Sequence, residues 1–204
     1  MISLQIGRLL RAGTTGFVAG CRVSQKKTPD FGALVRVPLG EGYQVYGLIY
    51  DIRIDDDGLV RQLVTAEEIA DSTVEDSRYN RIVPIEMSVL SVGYEQSGKI
   101  FHLLPPRPPL SLDVIYLCDD DDLVRFTDAG RFGYLRHVLR AKDAPIGEIL
   151  AAHIRQAGAA HQKGHSSSDR TEAWTESAAQ ELITLLRDDY QTLMSVLSAL
   201  GEVL

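Results

Sequence analysis

Near residue 120 the spacing of the apolar residues changes, and that change limits what the chain can fold into. Before it, short runs rich in Val, Ile, Leu and Tyr alternate with breaks at Gly, Pro and Asp. β-Branched and aromatic residues suit a pleated, half-buried surface. The expected strands are Leu4–Arg11, Gly16–Val23, Leu34–Pro38, Gln44–Ile54, Ile82–Val92, Lys99–Leu104 and Val114–Leu117. Several short strands at this spacing predict a barrel or a sandwich. "VTAEEIADS", at 64–72, reads as one short helix or a long acidic loop within this unit. The boundary itself is "PPRPPLSLDVIYLCDDDD", which holds four of the chain's eight prolines.

After residue 122 the period becomes helical. In "FTDAGRFGYLRHVLRAKD", Thr127 is the expected N-cap, with apolar residues at 132, 135, 138 and 139. In the next helix Pro145 suits the first turn, and Ile146, Ile149, Leu150, His153 and Ile154 share one face. "QKGHSSSD" is small and polar and reads as a linker. From Ser168 or Asp169 onward, Leu182, Leu186, Tyr190, Leu193, Leu197, Leu200 and Leu204 recur at steps of four and three, close to a heptad seam. One helix over 169–204 would span roughly 50 Å. Its seam fits either its own domain or a partner helix from another chain, which makes Leu186, Tyr190, Leu193, Leu197 and Leu200 candidate interface residues. That segment holds seven acidic and two basic residues, so its outer face is wrong for DNA.

The expected fold class is thus α+β. A small antiparallel β-barrel over 1–120 is followed by a helical region at 121–161, a linker at 162–168 and a long amphipathic helix, a possible coiled coil.

Composition narrows the function. The 204 residues are 45% hydrophobic and 24% charged, ordinary for a globular protein with a core. The formal net charge of −7 opposes binding to a duplex phosphate backbone. Two cysteines, Cys21 and Cys118, are too few for a disulfide framework and fit a reducing compartment. "MISLQIGRLLRAG" does not read as a secretory signal, and no window is apolar enough to span a bilayer. A cytoplasmic location is the expectation.

The motifs that suggest chemistry fail their context. "GYEQSGKI" matches the opening of a phosphate-binding loop, but Ile100 stands where Ser or Thr would hold magnesium. A strand and prolines follow where the loop needs a helix. A hairpin turn at Gln96–Gly98 is the better reading. "RAGTTGFVAG" lacks dinucleotide-fingerprint spacing. Asp55–Asp57 fits a turn closed by Gly58, and Asp119–Asp122 fits a linker or a helix start, where carboxylates complement the dipole. Neither has the convergent oxygens a hard cation needs. His102, His137, His153, His161 and His165 show no metal or catalytic spacing, and His102 reads as structural. No catalytic, cofactor-binding or metal-binding residue is therefore assigned. "PPRPP" resembles a polyproline-II ligand, but its apolar flanking strands favour a stiff connection.

The order of the pieces resembles a known family, the HAS-barrel, found at the N-termini of HerA-type DNA translocases and of ATP synthase α and β subunits. The counterparts here are Ile6–Gly7, Ala33–Val37, Tyr46–Asp51 and Pro105–Tyr116, spanning roughly residues 4–118. HerA-like chains continue into an ATPase with a true phosphate loop, whereas helices follow here. The resemblance therefore implies the barrel's role as collar and docking face, and not the motor's. It implies an interface at the strand-edge positions Gly32, Val35, Tyr43 and Tyr46.

The leading expectation is a non-catalytic interaction or assembly module. Its partners would be a second copy of the chain or a HerA-like ATPase or nuclease. The alternative is an OB-like barrel for single-stranded nucleic acid, using Arg8, Arg11, Arg22, Lys26 and Lys27 with Phe17 and Phe31 near. An enzyme with a site assembled only in space ranks third.

Overall fold

A computed structural model describes residues 4–23, 29–54, 83–164 and 168–201. The expected helix or loop at 64–72, the turn at Asp55–Gly58, and Lys26, Lys27 and His165 lie outside the described residues.

Among the described residues seven strands form: β1 (Gln5–Ala12), β2 (Gly16–Val23), β3 (Leu34–Pro38), β4 (Tyr43–Ile54), β5 (Val83–Gln96), β6 (Lys99–Phe101) and β7 (Val114–Leu117). They match the expected runs to within a few residues. Six of them close a barrel in the order β1-β2-β5-β4-β3-β7, with β7 returning to β1 and every neighbour antiparallel. β6 extends the far end of β5 as a hairpin, pairing Tyr94 with Phe101. Its turn uses Ser97 and Gly98, both at positive φ. "GYEQSGKI" is therefore a hairpin, and Lys99 opens a strand rather than a helix.

The alternating side chains of these strands fill the barrel. Leu9, Phe17, Val35, Val37, Val45, Ile49, Met87, Val89 and Ile115 belong to one buried cluster. A small barrel packed this way has a core and no lumen. β4 is also buried on its other face. Tyr46 and Leu48 belong to a second cluster, together with Leu34 and Val92 and with the helices.

Among the described residues five α-helices follow: α1 (Asp120–Asp128), α2 (Leu135–Leu139), α3 (Ile146–Gly164), α4 (Ser168–Leu185) and α5 (Tyr190–Gly201), of which α1, α2 and α3 lie against that wall. α1 begins earlier than expected. Asp119 is its N-cap, accepting a 2.9 Å bond from the Asp122 amide, and Asp120–Asp122 fill the first turn. Thr127 is not a cap. It sits in the last turn, and its hydroxyl donates to the Leu123 carbonyl at 2.9 Å. Gly130, Arg131 and Phe132 take positive φ and end that run. The run of Ile149, Leu150, His153 and Ile154 on α3 is buried as expected, and α3 extends through Gly164, into the expected linker.

The expected single helix over 169–204 is two helices. Asp189 breaks it by capping α5: its carboxylate accepts from the Thr192 amide at 3.1 Å and the Thr192 hydroxyl at 2.7 Å. The Asp189 cap wins over one continuous leucine stripe. Both α4 and α5 pack on α3. Leu182, Leu186, Val196 and Leu200 are buried in the shared cluster, with Leu193 and Leu197 against it. The seam thus faces its own chain. Tyr190 is 73% exposed.

Candidate functional site

The four barrel positions expected at an interface are turned inward or covered. Val35 lies in the barrel interior. Tyr46 lies under α1, where it donates to Glu95 at 2.8 Å and its ring meets Phe126 at 4.8 Å. Tyr43 is buried, donates to the Arg107 carbonyl at 3.1 Å, and holds the Arg107 guanidinium 4.9 Å above its ring. Gly32, at φ 78°, touches α3: a Cβ there would come within 2.7 Å of the Ala152 side chain. Tyr46 and Gly32 lie where the chain's own helices dock, whereas Val35 and Tyr43 belong to the barrel interior, with the Arg107 segment over Tyr43.

A polar network fixes the docking. Arg125 on α1 donates to both oxygens of Glu95 at 2.9 Å, and Gln44 donates to the same carboxylate at 2.6 Å. Arg36 on β3 donates to Asp122 at 3.0 Å. Burial acts to raise Glu95, but the bonds from Arg125, Gln44 and Tyr46 outweigh it and leave the carboxyl below its ordinary value. Burial first, and then the bond to Glu95, pushes the Tyr46 phenol up. Burial raises the Cys118 thiol well above its usual value, which favours its protonated form.

The proline segment is a stiff connection. Pro105 and Pro109 are buried, and the chain beyond them is stitched to β1. The Leu112 amide donates to the Leu9 carbonyl at 2.8 Å, the Ser111 hydroxyl to Leu10 at 3.1 Å, and Arg8 to the Leu112 carbonyl at 2.8 Å. This leaves a leucine edge in the open: Leu10 with Leu110, 71% exposed, and Leu112, 68% exposed.

A cleft of about 680 Å³ opens elsewhere, between the barrel and the α2–α3 connection. The β1–β2 turn supplies Arg11, Gly13 and Thr15; β5 supplies Leu90 and Ser91; α2 and the loop after it supply His137, Arg140 and Lys142. Phe17, Tyr50 and Leu104 form apolar walls. Among the described residues that line it, none is Asp or Glu. Ser91 sits where the β4–β5 register shifts, opposite Gly47. Its amide donates to the Thr15 carbonyl at 3.0 Å, while its buried hydroxyl has no hydrogen-bond partner. His137 approaches the His102 carbonyl at 3.2 Å through Nε2. Burial lowers its basicity, and Arg136 and Arg140 lower it further. Such a cleft can hold an anion that carries an apolar body.

No protein-family model matches the chain, and a search of curated proteins returns no match either. The site must therefore be read from its own residues.

Of the residues expected to contact single strands, Arg11 and Phe17 do line the cleft. Arg8 instead ties down Leu112, and Phe31 packs beside α3, its carbonyl accepting from Gln156 at 3.0 Å. Sequence reasoning missed Arg140 and Lys142. The available signal was "LRAKDAP", two bases at a helix exit, but nothing local ties it to Arg11. His161, expected at the linker, is buried in α3, 2.9 Å from the Thr127 hydroxyl and stacked at 4.6 Å on Trp174. Among the described residues, no three His, Cys, Asp or Glu side chains gather as metal ligands. No described helix is long and apolar enough to cross a membrane.

Proposed function

We propose that this protein is a non-catalytic assembly module, a HAS-type barrel that docks on a HerA-type translocase or its nuclease. The observation that carries the reading is the leucine edge at Leu10, Leu110 and Leu112. These side chains stand in solvent on a segment held by buried prolines and by three hydrogen bonds to β1. A rigid apolar edge suits protein recognition, because little conformational entropy is lost on binding. The closed barrel adds support, since its paired strands leave side chains rather than backbone as the means of contact. The helical cover on the opposite core-facing wall directs docking to the uncovered side.

The test is capture of a purified HerA-type ATPase or its nuclease by the intact chain and by a Leu110→Asp/Leu112→Asp variant. The expected result is capture by the intact chain and loss of it in the variant, with unchanged thermal melting. Equal capture by both, or none by the intact chain, rejects the reading.

A further inference from the structure

The cleft beside the β1–β2 turn concentrates charge against the trend of the whole molecule. The chain carries −7, yet Arg11, Arg140 and Lys142 converge on one hollow with no carboxylate among its described lining residues. Among the described residues, none of these three side chains has a hydrogen-bond or ion-pair partner. Asp51 and Asp143 line a neighbouring hollow instead, and Asp51 is engaged by Arg53 at 2.8 Å. Bringing unpaired cations together costs Coulomb energy, and a bound anion reverses that sign. The buried Ser91 hydroxyl is a further unused donor on the same cleft. A buried hydroxyl without a partner is uncommon and calls for an explanation.

We propose that this cleft is a binding site for a small organic phosphate. The phosphate lies between Arg11, Arg140 and Lys142, and the apolar body rests on Phe17, Tyr50 and Leu104. Two arginines offer forked donors suited to phosphate oxygens, and the lysine adds a point charge. The cleft volume of about 680 Å³ matches one compact ligand. A single strand needs a long cationic track with exposed aromatic platforms for successive bases. Phe17 is buried and Tyr50 half-buried, so neither is such a platform. Arg11 follows Leu10 directly in β1, but the cleft uses different side chains and a different chemistry from the leucine edge, and the two stand or fall separately.

Calorimetry on the full chain with phenyl phosphate, inorganic phosphate, phenol and an oligothymidylate tests it. Phenyl phosphate is expected to bind saturably, about tenfold or more tighter than inorganic phosphate, with no binding of phenol. The Arg11→Ala/Arg140→Ala variant should weaken phenyl phosphate by about tenfold or more while its melting temperature stays put. Ser91→Ala should weaken it less. Absence of saturable phenyl phosphate binding overturns the proposal, as does equal binding by the double variant. Tighter binding of oligothymidylate than of phenyl phosphate overturns it in favour of a single-strand site.

Discussion

The barrel interior and the layer between barrel and helices are both buried cores, but they are built differently. The interior is Leu, Ile, Val, Ala, Met, Phe, one cysteine and Tyr43 at its rim. Among the described residues, the outer layer holds nearly all of the buried polar groups: Glu95, His102, Thr127, His153 and His161. Apolar side chains set how much surface is buried and tolerate shifts of register between elements. Buried polar groups do not, because each must meet its partner. The comparison teaches that the barrel is held by amount of burial, whereas the helices are placed by pairing.

Three experiments strain that comparison. The largest effect comes from cutting each core in turn. Phe126→Ala in the outer layer should cost about 3–5 kcal/mol, and Leu9→Ala in the interior about 2–5 kcal/mol. Trp174, the chain's single tryptophan, reports only the outer layer. β4 contributes side chains to both cores, so Trp174 fluorescence should follow the same denaturation midpoint as circular dichroism in both variants. Separate midpoints after Leu9→Ala would show two independent units.

The next effect is in pH. His153 is fully buried beside the Tyr134 hydroxyl, at 3.1 Å, and burial pushes its pKa from 6.5 down to about 4. The unfolded state binds this proton first, so stability falls as pH drops from 6.5 toward 4, by on the order of 3 kcal/mol. Burial lowers His102 and His137 too, with the same sign. Glu95, whose pKa is depressed, adds a further loss below its unfolded value of 4.5. His153→Gln should flatten the first part of the curve, while a barrel variant such as Leu9→Ala should lower the curve without changing its shape. Urea titrations at several pH values measure both.

The smallest effect concerns pairing. Arg125→Met keeps the side-chain stem but leaves Glu95 without its charged partner, at a cost of roughly 2 kcal/mol at neutral pH. Glu95→Gln in the same background should recover part of the loss. A double-mutant cycle by thermal melting gives the coupling, and a value near zero would mean that the network does not help to place α1.

The barrel was legible in the residues because its signals are local. Val, Ile and Tyr runs end at Gly, Pro or Asp, and glycines such as Gly13, Gly40, Gly42 and Gly98 fall where strands turn. The β4 run "YQVYGLIY" carried a further message: apolar residues on both alternating faces mean burial from both sides. That is why Tyr43 and Tyr46 could not serve an open interface. The leucine seam at the end of the chain was misjudged in length because Asp189 and Thr192, three apart, form a cap whose strength over helix continuation depends on packing against α3. The cleft was hidden for a different reason. Arg11 and Arg140 meet only because β1 and the α2 exit reach the same end of the barrel, and no local spacing records a meeting of that kind.

Barrel closure by β7 has a consequence in time. Arg8 meets Val114 only after more than a hundred intervening residues. During synthesis on the ribosome, β1 waits with one edge open until nearly the whole barrel has emerged, and such distant pairing is slow. The helices that shield the outer wall appear later still. A nascent chain of this protein therefore passes through a stage in which both its seam and its Tyr46–Leu48 wall are bare, and that stage is where a chaperone would have the most to grip.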